Sequence, residues 1–217
     1  MKINSLIIDS TNSKTDLCFL GEKYPTDKSP YAFKEDMGAH KHPYTAVYDF
    51  IFSTIRFKEN KIAEIGILNN KSMLCWRDYF PKSELFGFDF ANNLLTEALE
   101  DNVENAHYDF MDIKQENSIN SGLEKYGPFD IIIEDSTHQF EDQIRFVNIA
   151  YKYIKPGGIL IVEDIFRSAD EQRYCDELEN VSKYFSTITF VLTEHKLRYS
   201  PGWNNDKLLF LIRNRIE

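Results

Sequence analysis

Two apolar runs each end in acidic residues: Phe129-Asp130-Ile131-Ile132-Ile133-Glu134-Asp135-Ser136-Thr137-His138 and Ile159-Leu160-Ile161-Val162-Glu163-Asp164. A short run of Ile and Val bounded by turn residues reads as a strand buried on both faces. Carboxylates are costly inside such a strand, so they belong at its carboxyl end. Strands alternating with helical segments define the class as α/β, with a doubly wound, mostly parallel, seven-stranded Rossmann-like sheet and an antiparallel last strand. In such sheets ligands bind outside the carboxyl ends of the strands. Asp135, Glu163, Asp164 and His138 are therefore expected in one crevice. The acids suit a divalent cation and the imidazole a proton acceptor. Glu163 and Asp164 are adjacent, however, and neighbours in a strand point to opposite faces. Only a break in the strand brings both to one metal.

The remaining elements follow from periodicity. Strands are expected at 61–67, 84–90, 106–110, 130–135, 159–164, 186–193 and 207–214. Helices are expected at 44–56, 72–79, 92–99, 113–126, 140–154 and 170–185. Residues 1–20 read as an irregular arm or short strand, and 21–43, rich in Lys, Pro, Gly and His, as a loop or lid. The division is thus an arm and lid over 1–43 and a catalytic domain over 44–217, within one globular unit. His40 and His42 sit beside the lid and read as a generic polar loop; His107 and His195 carry no signal.

A formal charge of −10 argues against nucleic acid as a partner and leaves room for a local basic patch that binds a phosphorylated small molecule. No apolar stretch reaches the roughly 20 residues of a membrane span, and the first 20 residues lack the pattern of a leader. The three cysteines, Cys18, Cys75 and Cys175, show no metal spacing and fit a reducing, cytoplasmic compartment.

Gly66 follows the strand at 61–67, and a helix begins shortly after it. Asp89 ends the next strand 23 residues after Gly66. An acid at that distance suits a ribose diol. The loop lacks the further glycines that a pyrophosphate requires, so a cofactor without phosphates fits better than NAD.

At this point a resemblance is specific. Glu64-Ile65-Gly66, Asp89, the mid-chain Asp109 and a fourth strand ending in an acid look like class I S-adenosyl-L-methionine (SAM)-dependent methyltransferases. Gly21-Glu22-Lys23-Tyr24-Pro25-Thr26-Asp27-Lys28 is closer still. With it go Tyr44, Tyr48, Trp76, Tyr79-Phe80-Pro81, Glu134-Asp135-Ser136-Thr137-His138, and Pro156-Gly157-Gly158 leading to Glu163-Asp164. Together they resemble the macrolide-sugar O-methyltransferases of the mycinamicin and macrocin type, over roughly residues 21–165.

The resemblance implies Glu64 and Gly66 near the methionine part of SAM, Asp89 on the ribose, and Asp109 with Phe110 near the adenine, with Asp112 competing for that role. It implies Thr26, Asp27 and Lys28 in the lid, Mg²⁺ on Asp135, Glu163 and Asp164, His138 as base, and a homo-oligomer. Two positions depart from the family. Asn70 stands where many relatives have glycine, and Tyr108-Asp109-Phe110 where they show Gly-Asp-Gln. Asn tolerates the left-handed conformation that glycine would supply.

The expected reaction is methyl transfer to a hydroxyl of a small, sugar-containing molecule, with positioning, a cation and a base as the three devices. Arg198, Trp203 and Asn205, in the aromatic and polar loop 195–206, suit an acceptor; a plain hairpin turn is the alternative. Tyr31, Phe33 and Met37 in the lid are further acceptor candidates. A catechol, a phosphate-linked group or another natural product as acceptor, and a non-catalytic SAM- or nucleotide-binding subunit, are the competing readings.

Overall fold

The structure is a computed structural model and describes residues 4–32 and 40–215. Its strands are β1 (Asn4–Asp9), β2 (Lys61–Ile65), β3 (Glu84–Asp89), β4 (Ala106–Phe110), β5 (Phe129–Glu134), β6 (Ile154–Ile165), β7 (Phe185–Glu194) and β8 (Lys207–Arg213). Its helices are α1 (Asp16–Lys23), α2 (Tyr44–Phe52), α3 (Lys71–Tyr79), α4 (Asn92–Glu100), α5 (Glu116–Tyr126), α6 (Phe140–Ala150), α7 (Glu171–Glu177) and α8 (Glu179–Ser182).

The strands form one eight-stranded sheet in the order β1-β7-β8-β6-β5-β2-β3-β4. Only β8 runs against its neighbours; it lies antiparallel between β6 and β7. The sheet is the doubly wound α/β sheet expected, with one strand more than the seven anticipated. The eighth is β1, which pairs in parallel with β7 from Asn4↔Thr189 to Asp9↔Glu194. It is the short strand that residues 1–20 offered as one alternative, and its Leu6, Ile7 and Ile8 lie at the sheet's edge. Helix α1 was not anticipated. It buries Leu17, Cys18 and Gly21, a stripe too narrow to stand out by period. The helix anticipated at 170–185 divides into α7 and α8 at Leu178.

Both faces of the central strands are buried, as their unbroken apolar runs require. Ile131, Ile133 and Ile161 pack with Tyr48, Phe52 and Trp76 of α2 and α3. Ile132, Leu160 and Val162 pack with Ile119, Leu123, Phe146 and Val147 of α5 and α6. Side-chain alternation then fixes where the terminal acids begin. Asp135 and Glu163 share parity with Ile133 and Ile161, on the α2 side. Glu134 shares parity with Ile132, on the α6 side.

Helix α2 places Tyr44, Tyr48 and Phe52 on one stripe, four residues apart, and all three are fully buried. Tyr48 and Phe52 stack at 5.5 Å, and Phe52 meets Trp76 and Phe80 in turn. Burial of each such ring contributes on the order of 1.5–3 kcal/mol, which fixes α2 against the sheet and its phenol tips over the strand ends. No helix among the described residues is long and apolar enough to cross a membrane.

Candidate active site

The chain leaves β2, builds β3 and β4 outward, and returns to place β5 on the other side of β2. This reversal opens a crevice between the carboxyl ends of β2 and β5. Gly66 makes their close approach feasible. It has φ +91°, and a Cβ there would lie 2.1 Å from the Asp135 carbonyl oxygen. The Asp135 amide donates to the Ile65 carbonyl at 2.8 Å, extending the ladder to the rim.

A cavity of about 490 Å³ fills the crevice. Its walls are Glu64 to Asn69 at the end of β2 and beyond, Asp89 and Phe90 at the end of β3, Met111 to Lys114 after β4, and Asp135 to His138 after β5. Thr26, Asp27 and Lys28 close it from the lid side. Asp89 accepts from the Ile67 amide at 3.2 Å and the Ala91 amide at 2.9 Å, so its carboxylate braces the loop and keeps lone pairs for a ligand. Asn70, at the residue before α3, adopts φ +61°, the left-handed conformation its side chain tolerates. The donor set fits the methionine and ribose parts of SAM, and Ile67, Leu94, Met111 and Ile113 offer an apolar slot for a base.

Asp109 and Phe110 do not line this cavity. Asp109 pairs with Lys125 of α5 at 2.8 Å and accepts from the Phe110 amide. Both residues lie within β4 and are held by these contacts on the α5 side. Asp112, two residues past the end of β4, does line the cavity.

The acids gather at the same mouth. Asp135, His138 and Asp164 each present one donor atom, and the three atoms lie within 4.8 Å of one another. His138 Nδ1 is 3.8 Å from Asp135 Oδ1, and Nε2 is 3.8 Å from Asp164 Oδ2. His138 Nδ1 is buried with no hydrogen-bond partner among the described residues. The two carboxylate oxygens fit a hard divalent cation completed by water or substrate oxygens, and the imidazole stands beside it. Burial lowers the His138 pKa, and Asp164 opposes it incompletely, so the ring is neutral at pH 7.

Asp164 reaches this cluster because the strand breaks there. Its φ is +57°, and the β6–β8 register shifts between Val162 and Ile165. Tyr44 Oη donates to Asp164 Oδ1 at 2.7 Å, and Asn205 Nδ2 donates to Oδ2 at 2.7 Å. His42 Nε2 lies 3.5 Å from the same Oδ2. Burial acts to raise the Asp164 pKa, but His42, His138 and the Tyr44 hydrogen bond outweigh it and hold it low.

Glu163 was expected beside Asp164 on the metal. The break rotates Asp164 alone, and Glu163 keeps strand parity toward α2. Its Oε1 accepts from Tyr48 Oη at 2.6 Å and its Oε2 from Lys28 Nζ at 2.8 Å. Burial pushes the Glu163 carboxyl up to about 8, against the pull of Lys28.

The acceptor candidates divide. Trp203 is exposed and stacks on Phe166 with centroids 5.9 Å apart and planes 13° apart. From Trp203 a series of ring contacts runs inward through His40 and His42 to Tyr44. Arg198 is instead committed to buried Asp206 and to Asn204, and organises the loop. Asn205 is buried and serves Asp164. Tyr31 Oη contacts His195 Nε2 at 3.1 Å. Phe33 and Met37 lie outside the described residues.

Sequence reasoning gave no role to His42, Tyr44, Tyr48 or Trp76, although the last three carried the resemblance. A signal was present: Tyr44 and Tyr48 put two phenols on the buried stripe of an apolar helix, and a buried phenol needs a partner.

The fold defines the class. No protein-family profile matches the chain. The MycE methyltransferase of the mycinamycin biosynthetic pathway, solved in complex with Mg, SAH and mycinamycin VI, aligns with a TM-score of 0.67 at 20% identity, over 94% of this chain and 56% of that one. The fibrillarin of Aeropyrum pernix, in complex with natively bound S-adenosyl-L-methionine, aligns at 0.53 with 13% identity, over 75% and 74% of the two chains. The fold is the Rossmann-like fold of these methyltransferases.

Among curated proteins the similarity narrows. The chain is 26% identical over 160 residues to mycinamicin VI 2''-O-methyltransferase of Micromonospora griseorubida, covering 70% of this chain and 37% of that protein. It is 25% identical over 154 residues to L-olivosyl-oleandolide 3-O-methyltransferase of Streptomyces antibioticus, covering 68% and 39%. The chain thus spans about two fifths of the length of these relatives.

Proposed function

We propose that the chain carries a SAM-dependent, divalent-cation-assisted O-methyltransferase domain whose acceptor is a hydroxyl on the sugar of a glycosylated small molecule. One observation carries the reading. The turn from Asp135 to His138 lines the cavity and also supplies two of the three donors of the acid–imidazole cluster. A methyl donor in the cavity would therefore adjoin both a cation and a base. The sugar O-methyltransferases named among the relatives support the acceptor class. The reading includes a cytoplasmic location and a homo-oligomer, and the acidic net charge supports a partner other than nucleic acid.

SAM, when bound, supplies an electrophilic methyl group, and Mg²⁺, when bound, lowers the charge on the acceptor oxygen. The chain's residues do the rest. Glu64 and Gly66 receive the methionine part, Asp89 the ribose, and the Met111–Ile113 wall with Asp112 the adenine. Thr26, Asp27 and Lys28 cover them. Asp135 and Asp164 hold the cation, and His138 Nε2 accepts the hydroxyl proton. Phe166 and Trp203 form a shelf for the acceptor's apolar face. Much of the acceleration comes from alignment of hydroxyl and methyl group.

The test is calorimetric titration of SAH, the demethylated product of SAM, in Mg²⁺ buffer, followed by a screen of deoxysugar glycosides for the mass gain of one methyl group. His138→Ala is expected to reduce turnover about 10²–10⁴-fold while leaving SAH affinity within about threefold. The wild-type kcat/KM is expected to fall as pH drops through the His138 pKa, below the usual 6.5. No SAH binding, or full turnover by the His138 variant, would sink the reading.

A further inference from the structure

The loop from Gly66 to Asn70 supplies Gly66, Ile67, Leu68 and Asn69 to the cavity wall, and three of its five residues are left-handed. The φ angles are +91° at Gly66, +42° at Leu68 and +61° at Asn70. Glycine takes that conformation freely. A residue with a Cβ keeps it only where its surroundings hold it. At its first end the loop is held by the sheet: the Gly66 amide donates to the Phe88 carbonyl at 2.7 Å, and the Ile67 amide to Asp89.

At the other end Asn70 is 2% exposed, and both halves of its side-chain amide are engaged. Oδ1 accepts from Tyr108 Oη of β4 at 2.9 Å. Nδ2 donates to Asp101 Oδ2, just past α4, at 2.9 Å, and to the Ala98 carbonyl at 3.5 Å. Burial pushes the Tyr108 hydroxyl up to about 12, so it is protonated and donates. The groups therefore match in one order only: phenol to amide oxygen, amide nitrogen to carboxylate. Gly87 of β3 makes the reach possible. A Cβ there would lie 2.8 Å from Tyr108 Cδ1 and 3.1 Å from Ile67 Cγ2, so the phenol crosses β3 over bare backbone.

We propose that Tyr108 and Asp101 are positioning residues for cofactor binding: they act through Asn70 to hold the left-handed turn before α3, and so fix Leu68 and Asn69 on the cavity wall. A glycine at position 70 would make that clasp unnecessary. The two departures from the family, Asn70 and Tyr108, are then a single exchange of backbone freedom for side-chain restraint. The inference rests on the SAM-binding reading of the cavity above.

The experiment is calorimetric titration of SAH into the wild-type chain and its variants, well below their unfolding temperatures, with the Tm of each free protein measured alongside. Tyr108→Phe weakens SAH binding at least about fivefold and Asp101→Ala at least about threefold, the scale of one lost hydrogen bond. In the Asn70→Gly background either substitution changes the affinity less than about twofold. Asn70→Ala, which keeps a Cβ and loses the amide, binds SAH more weakly than Asn70→Gly.

A clasp that only stabilises the fold would lower Tm in Tyr108→Phe and leave its SAH affinity at the wild-type value, and that result overturns the proposal. So does an equal loss from Tyr108→Phe in the wild-type and Asn70→Gly backgrounds, which would mean that Tyr108 acts by another route. Should Asn70→Ala fail to fold, Tyr108→Phe decides, since it removes one oxygen and keeps the ring over Gly87. Failure of the wild-type chain to bind SAH removes this proposal and the cofactor reading together. Equal binding by the wild type and Tyr108→Phe removes this proposal alone.

Discussion

Glu134 is fully buried on the α6 side of β5, where Ser136 donates to its Oε1 and Oε2 has no hydrogen-bond partner among the described residues. Burial pushes its carboxyl from the usual 4.5 up to about 7. Between those pH values the folded protein binds more protons than the unfolded chain. Stability therefore falls as pH rises from about 4.5 to 7, by up to about 3 kcal/mol from this one group. Glu134→Gln keeps the shape and cannot ionise. Urea unfolding is expected to show the variant gaining on the wild type by about 2 kcal/mol more at pH 8 than at pH 5. An equal difference at both pH values would show that Glu134 is not held neutral by its site. The sequence announced acids at this strand end and left Glu134 either on the cofactor side or packed at the strand end. Strand parity, fixed by the facing of Ile132, decides that.

At the scale of elements, the loop between β7 and β8 carries more structure than a hairpin. Arg198 and Arg167 pair with fully buried Asp206, and the Lys41–Tyr199 bridge ties the loop to the lid exit. Asn205 is thereby held to donate to Asp164 and to accept from Ser200 Oγ at 2.8 Å. Asn205→Ala leaves a buried carboxylate oxygen short of a donor. It is expected to cost about 1.5–3 kcal/mol in stability and to weaken Mn²⁺ binding about 10–100-fold. Unchanged Mn²⁺ affinity would mean that Tyr44 and His42 alone orient Asp164. The loop's composition was legible as polar and aromatic, but which members touch a ligand and which brace the backbone depends on pairings across sequence separations that no local pattern records. The two departures from the family show the same thing in reverse. Tyr108 Oη donates to Asn70 Oδ1 at 2.9 Å, so two changes that look separate in the sequence meet in space.

Over the whole molecule, the sheet was legible because its strands are continuous apolar runs separated by helical periods, and because parallel strands need such crossovers. The carboxyl-end rule then located the crevice without any view of the fold. What was hidden was α1, whose buried stripe is narrow and which reads no differently from the lid after it, and the pairing of the N-terminal strand with β7. A site formed by several elements links ligand binding to global stability. SAH at about 100 times its Kd is expected to add about 2.7 kcal/mol and raise Tm by roughly 5–10 °C in a chain of this size. The absence of any shift at saturating SAH would indicate that the cavity does not bind it.

The hydrogen bonds of the acid cluster span 107 residues from Lys28 to Asp135, 135 from Lys28 to Glu163, and 161 from Tyr44 to Asn205. During synthesis, the crevice between β2 and β5 is complete in sequence once residue 138 has emerged. The brace on Asp164 must wait for residue 205, and β1 for β7. A nascent chain therefore holds the segments of its crevice well before those of its acid cluster, and for that interval holds several carboxylates without their final partners. The acid cluster thus closes only after residue 205 has emerged, long after the strands that open the crevice.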